Sequence, residues 1–205
     1  MKLYFSPGAC SFAPHVALKE AGIAAETVKV DLRAHKLPDG TDYYTVNAKG
    51  YVPYLVLDDG TPLSEAHVIL QYIADRKPGA IAPVYGTIER YKLNEWLGFI
   101  ATEIHKTFGP LWHADAYGEK AIDTFKQRLH QRYAIVEAQL AKSPYLTGDE
   151  FTIADMYLYT VTHWAGYLKV DLSAFPKLQA WMKKVAERPS VVAALAAERG
   201  VKEPA

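Results

Sequence analysis

The chain has 205 residues, half of them apolar and 22% charged, and its 23 basic and 23 acidic side chains cancel. That is the composition of a folded globule, with no basic excess to coat a nucleic acid or an anionic membrane and too much apolar content for a disordered chain. The single cysteine, Cys10, excludes an internal disulfide and a cysteine-rich zinc cage. No stretch approaches the roughly 18 apolar residues of a spanning helix. Pro7, Gly8 and Pro14 interrupt the amino terminus where a secretory signal would carry its apolar core, so a cytoplasmic protein is expected. Pro7-Gly8-Ala9-Cys10 superficially resembles a lipoprotein cleavage box, but the nine residues before the cysteine are too few for its basic and apolar regions.

The first 78 residues read as a small α/β domain. Residues 2–5 form a short strand closed by Ser6-Pro7-Gly8, and residues 12–21 a helix that tolerates Pro14 in its first turn and stops at Gly22. Residues 26–31 alternate as a second strand, and residues 33–50 are polar and irregular. Residues 54–57 and 61–63 flank the hairpin turn Asp58-Asp59-Gly60, and Ser64 is placed to cap a helix from Glu65 to Asp75. The order is β-α-β followed by β-β-α. Lys77-Pro78-Gly79 breaks the helix, and residues 79–86 read as a linker.

From residue 87 to 205 the signal is helical. Leu93, Trp96, Leu97, Ile100, Ile104 and Phe108 keep helical spacing over one continuous helix at 88–108. Ile122, Phe125, Leu129, Tyr133, Val136 and Leu140 mark a second. Thr152 to Asp155 opens a third with a capping-box pattern, and Tyr157, Val161, Trp164 and Leu168 continue its stripe. Phe175, Leu178, Trp181 and Val185 make a fourth. The expected fold class is α+β, an α/β domain ahead of an all-α domain.

Four places could carry chemistry. Cys10 stands before a helix, whose free N–H groups and partial positive charge favour a thiolate; free cysteine is also a common small core residue. Ala13 occupies the place of a second cysteine, which disfavours dithiol chemistry. Val52-Pro53 precedes the third strand, either as a trans loop or as a cis bond that turns the Val52 N–H and C=O outward. Glu65 and Ala66 open a helix that could receive a carboxylate, with Glu65 free to bind an amino group or to complement the helix dipole. Asn94, Gly98, Ala101, Thr102 and His105 make a stripe of mostly small residues that lets another body approach, with Lys106 beside it. His105 and His113 do not have metal-ligand spacing, no phosphate loop occurs, and Ser11 has no evident base, so no metal site is expected.

Taken together, Met1-Lys2-Leu3-Tyr4, Ser6-Pro7-Gly8-Ala9-Cys10-Ser11, Asn47-Ala48-Lys49-Gly50-Tyr51-Val52-Pro53, Leu63-Ser64-Glu65-Ala66, Gln71-Tyr72-Ile73-Ala74-Asp75, Glu95-Trp96-Leu97, Glu103-Ile104-His105-Lys106 and the run Gly148 to Asp155 resemble the bacterial beta class of cytosolic glutathione S-transferases over nearly the whole chain. The resemblance implies a thioredoxin-like first domain, an α-helical second domain, a homodimer, and glutathione as co-substrate. The cysteinyl backbone of glutathione would pair with Val52 beside cis-Pro53, and its γ-glutamyl end would meet Glu65 and Ala66. Its glycyl carboxylate would lie near His35 and Lys36, and its sulfur near Cys10 and His105, with Thr102 and Lys106 alongside. Tyr4 and Ser11 are the reserve partners for the thiol. Three departures from the family pattern stand out. Ala66 replaces serine or threonine, Gly98 replaces an asparagine that reaches the neighbouring subunit's glutathione, and His35 replaces lysine, each worth roughly 1 kcal/mol of affinity.

The implied activity joins the glutathione thiol to a small hydrophobic electrophile. Phe108, Trp112, Tyr117, Trp164 and Tyr167 are candidates for the wall of the electrophile site. The alternatives are thiol-disulfide exchange or peroxide reduction through Cys10, and a non-catalytic glutathione- or hydrophobe-binding stress protein.

Overall fold

The computed structural model describes residues 1–200. The chain forms two compact units, Met1–Ala82 joined by the chain from Glu187 onward, and Pro83–Ala186. Residues 201–205, counted with the helical domain in the sequence reading, lie outside the described residues.

In the first unit, β1 (Lys2–Phe5), β2 (Glu26–Lys29), β3 (Tyr54–Val56) and β4 (Pro62–Ser64) form one sheet in the order β2-β1-β3-β4. β1 pairs parallel with β2 and antiparallel with β3, and β3 pairs antiparallel with β4. The expected β-α-β and β-β-α halves are both present. Alternation along β1 buries Leu3 and Phe5 on one face and puts Tyr4 on the other, against Val30, Tyr43 and Val52. α1 (Phe12–Glu20) carries Pro14 in its first turn and ends in a Schellman motif. There the Gly22 N–H reaches the Lys19 carbonyl and the Ile23 N–H the Leu18 carbonyl, and Gly22 sits at φ +60, where only glycine is unstrained.

Two local readings change. β2 ends at Lys29, because Asp31 leaves the ladder to bridge Lys36. Ser64 is the last residue of β4 and not a cap. α2 (Ala66–Asp75) is entered through Glu65 at φ +71, whose carbonyl takes the Val68 and Ile69 N–H groups.

The unit is completed by α10 (Pro189–Glu198), which the sequence reading left inside the helical domain. Pro189 starts it at the first helical position, and it packs on α1. Glu20 at the end of α1 receives Arg188 and Ser190. Glu198, buried, receives the Gly8 N–H at 3.3 Å and faces His15 Nδ1 at 3.3 Å.

In the second unit, the helix expected at 88–108 is interrupted. α3 (Ile88–Phe99) passes into a π-helical turn (Ile100–His105) and then α4 (Lys106–Phe108). Thr102 Oγ1 donates to the Gly98 carbonyl and Thr107 Oγ1 to that of Glu103, back-bonds that loosen and bend a helix. A 3₁₀ turn (Gly109–His113) and α5 (Ala114–Tyr117) lead to α6 (Glu119–Leu140), whose Arg132 and Arg128 hold the Glu103 carboxyl below its ordinary pKa. α7 (Ile153–Thr162) is buried along its whole length, so it has no single stripe. α8 (Trp164–Tyr167) and α9 (Pro176–Ala186) follow, with Leu178, Trp181 and Val185 of α9 buried.

The capping box opening α7 is formed. Asp155 takes the Thr152 N–H and hydroxyl on Oδ2 and the Leu146 N–H on Oδ1, at 3.0–3.1 Å. Burial pushes its pKa up to about 6, and these donors oppose the shift. Since the folded pKa exceeds the unfolded value, the group's stabilisation is full below about pH 4 and lost as pH rises through about 6. The unfolding free energy of the native chain minus that of Asp155→Asn is therefore expected to be larger at pH 4 than at pH 7, by up to about 3 kcal/mol. Urea titrations at the two pH values measure it, and a flat difference would contradict the burial argument.

Candidate functional site

The turn after β1 carries Cys10 one residue before Ser11, which stands at the start of α1. The Ser11 hydroxyl accepts the Ser6 N–H at 3.1 Å and donates to the Ser6 carbonyl at 3.3 Å, so it staples this turn. Cys10 is half-buried, and its Sγ donates to the Val52 carbonyl at 3.3 Å. The sequence reading looked to helix N–H donors that favour a thiolate. This contact is to an acceptor, and only the protonated thiol can make it. Tyr4, 8% exposed, is packed against Tyr43 and Tyr54 in the core.

The Val52-Pro53 bond is cis. Side chains take the carbonyls of three successive residues before it. His35 Nδ1 donates to Gly50 at 3.1 Å, Tyr43 and Asn47 donate to Tyr51 at 3.2 and 2.8 Å, and Cys10 donates to Val52. Because a carbonyl only accepts, Nδ1 of His35 carries a proton, and Nε2 lies 3.3 Å from the Tyr44 hydroxyl. The His35 ring also stacks on Tyr44. An anion reaching Nε2 of His35 would have to displace Tyr44. Lys36 is exposed, and its backbone bridges Asp31 and Asp42. Burial pushes the Tyr43 phenol up to about 12, so it acts as a neutral donor.

Glu65 is exposed along half its side chain at the entry to α2. Its Oε1 accepts from the Tyr51 hydroxyl at 3.1 Å and faces Lys49 Nζ at 3.4 Å, while Lys49 Nζ also donates to Ser64 Oγ at 2.8 Å. Partial burial pulls the Glu65 pKa up, but Tyr51 and Lys49 outweigh it, and the carboxyl stays below its usual value. Ala66 is buried and presents no hydroxyl, leaving its backbone N–H at the helix start.

In the helical unit, His105 closes the π-helical turn, with Nδ1 2.6 Å from the hydroxyl of buried Tyr157 and its ring edge-on to Trp164. Phe108 and Trp112 pack on the same Trp164. Thr102 and Lys106 are exposed on the same stretch, and the Thr102 hydroxyl is turned back to Gly98. Of the other expected wall residues, Tyr117 sits on Phe125 and Tyr167 on His163, away from this cluster.

The first unit thus brings together Cys10, Val52 and Pro53 at one point and Glu65 and Ala66 at another. Tyr43, Asn47, Lys49, Tyr51 and Tyr157 were not among the expected site residues. Lys49 and Tyr51 lay inside a quoted motif, and Asn47 at its start with Gly50 was the signal of a tight turn. Tyr43 and Tyr157 carry no local signal, since their partners are remote in sequence or backbone groups.

Residues 1–75 match the family model described as glutathione S-transferase, N-terminal domain, and residues 99–189 match glutathione S-transferase, C-terminal domain. The curated glutathione S-transferase GstA of Escherichia coli O157:H7 is 46% identical over 200 residues, 97% of this chain and 98% of that protein. A sphingomonad glutathione S-transferase solved in complex with glutathione superposes with a TM-score of 0.92 at 44% identity, covering 97% of this chain and 99% of that one. The beta-class enzyme of Sphingomonas chungbukensis gives 0.91 at 44%, covering 97% and 98%. The chain belongs to the glutathione S-transferase family, and bacterial beta-class enzymes are among its near relatives.

Gly50 sits at φ +71, and a Cβ there would lie 2.4 Å from the Tyr44 ring. Gly50→Ala is expected to lower unfolding stability by roughly 1–2 kcal/mol through the backbone alone. The double variant Gly50→Ala/Tyr44→Ala should relieve the clash but not this backbone cost, which chemical denaturation of the set would show.

Proposed function

We propose that this glutathione S-transferase holds glutathione extended along the segment Gly50 to Pro53 and the start of α2, with Cys10 as the first-unit partner of its sulfur. One observation carries the reading: the Cys10 thiol already donates to the backbone next to the cis bond. A bound thiolate is a stronger acceptor than a carbonyl, so the same S–H can turn from Val52 to the ligand's sulfur. Glu65 takes the γ-glutamyl ammonium and the Ala66 N–H its carboxylate. The family resemblance also supports His105 as a catalytic group, with Thr102 and Lys106 as binding groups. Phe108, Trp112 and Trp164 form the apolar wall beside His105 that suits a hydrophobic electrophile. His35 and Lys36 are the groups proposed for the glycyl carboxylate, with His35 having to give up Tyr44. A homodimer in the cytoplasm is the working form.

The role assigned to Cys10 is that of a donor, which separates it from disulfide chemistry. With a generic aromatic halide, Cys10→Ala should lose about tenfold in kcat/KM, the worth of one hydrogen bond to a charged sulfur, while Cys10→Ser keeps most of it. Equal loss in both, together with turnover of a glutathione mixed disulfide by the native chain, would favour exchange chemistry instead. Binding of glutathione without turnover of either substrate would favour the binding protein.

A further inference from the structure

The Glu65 carboxylate is engaged on one side only. Tyr51 Oη and Lys49 Nζ both approach Oε1, and Oε2 carries neither bond. Glu65 itself is held at φ +71, a conformation that costs a side-chain-bearing residue roughly 1–3 kcal/mol and persists only where the surroundings enforce it. Its carbonyl is occupied by the first N–H groups of α2, so the backbone cannot swing. What remains free is the rotation of a long side chain, and Tyr51 restrains that rotation. The phenol arrives from the segment that also carries Val52, so the strand and the helix entry are tied at one atom.

We propose that Tyr51 is a positioning residue for Glu65: by fixing Oε1 it aims Oε2 at the ammonium of an α-amino-acid group, and so sets selectivity for ligands that carry that ammonium. The inference rests on the reading of Glu65 given above. A restrained carboxylate loses less rotamer entropy on binding than a free one, and the gain is confined to ligands that use Oε2. Lys49 beside it keeps the cluster from carrying a bare negative charge, which favours a zwitterionic terminus over a simple amine.

The experiment compares glutathione with its des-amino analogue, glutaryl-cysteinylglycine, by calorimetry on the full chain. The native protein should prefer glutathione, and Glu65→Gln should abolish the preference. Tyr51→Phe keeps the ring of a side chain that is 44% exposed and removes only the phenol. It should cut the affinity ratio about three- to tenfold by weakening glutathione and sparing the analogue. Tyr51→Leu, a second variant lacking the phenol, should give the same reduced ratio. An unchanged ratio in either folded Tyr51 variant, or equal weakening of both ligands, overturns the role of Tyr51 while leaving that of Glu65 intact. A native protein that does not distinguish the two ligands overturns the reading of Glu65 itself.

Discussion

Three consecutive carbonyls, those of Gly50, Tyr51 and Val52, have no strand beside them and are satisfied by side chains instead. A polar backbone left unpaired at such a point would cost a kilocalorie or more per group, so the side chains that serve it are constrained as tightly as any core residue. Tyr43 and Asn47 are buried with their donors on the Tyr51 carbonyl, and His35 keeps its Nδ1 proton on that of Gly50. The position of Cys10 follows from the same demand. Much of what looks like a binding site in this unit is the internal accounting of one extended segment.

That accounting decides which family expectations transfer smoothly. Cys10 stands beside Val52 and the cis bond to Pro53. His35 does not stand open in the same way, because both ring nitrogens are engaged. Ala66 offers only backbone, yet the neighbouring Lys49 and Tyr51 bring a cation and a hydroxyl to the same corner.

The strands, α1, α2 and the hairpin were legible from alternation, turn residues and glycine because those features are local. Gly22 and the Thr152 to Asp155 box announced themselves through residue type alone. The π-helical turn did not, since Leu97, Ile100, Ile104 and Phe108 keep spacings that an α-helix also accepts; threonine back-bonds and the Glu103 clamp accompany the widening. Glu65 was read as a helical residue because propensity cannot report a positive φ. Hydrophobic period failed for α7 because a helix surrounded on all sides has no wet face to break the pattern. The candidate site residues were chosen by motif, and the contacts of Tyr43 and Tyr157 were not foreseen, because hydrogen bonds to distant groups leave no spacing to read.

The helix α10 packs on α1, and its Glu198 reaches the backbone of the turn that bears Cys10. The first unit is therefore assembled from segments that precede and follow the second unit in sequence. During synthesis the β-sheet and α1 emerge before the helical unit, and the piece that covers α1 emerges after it. The thiol-bearing turn therefore stays incompletely walled for as long as the intervening helical unit is being made.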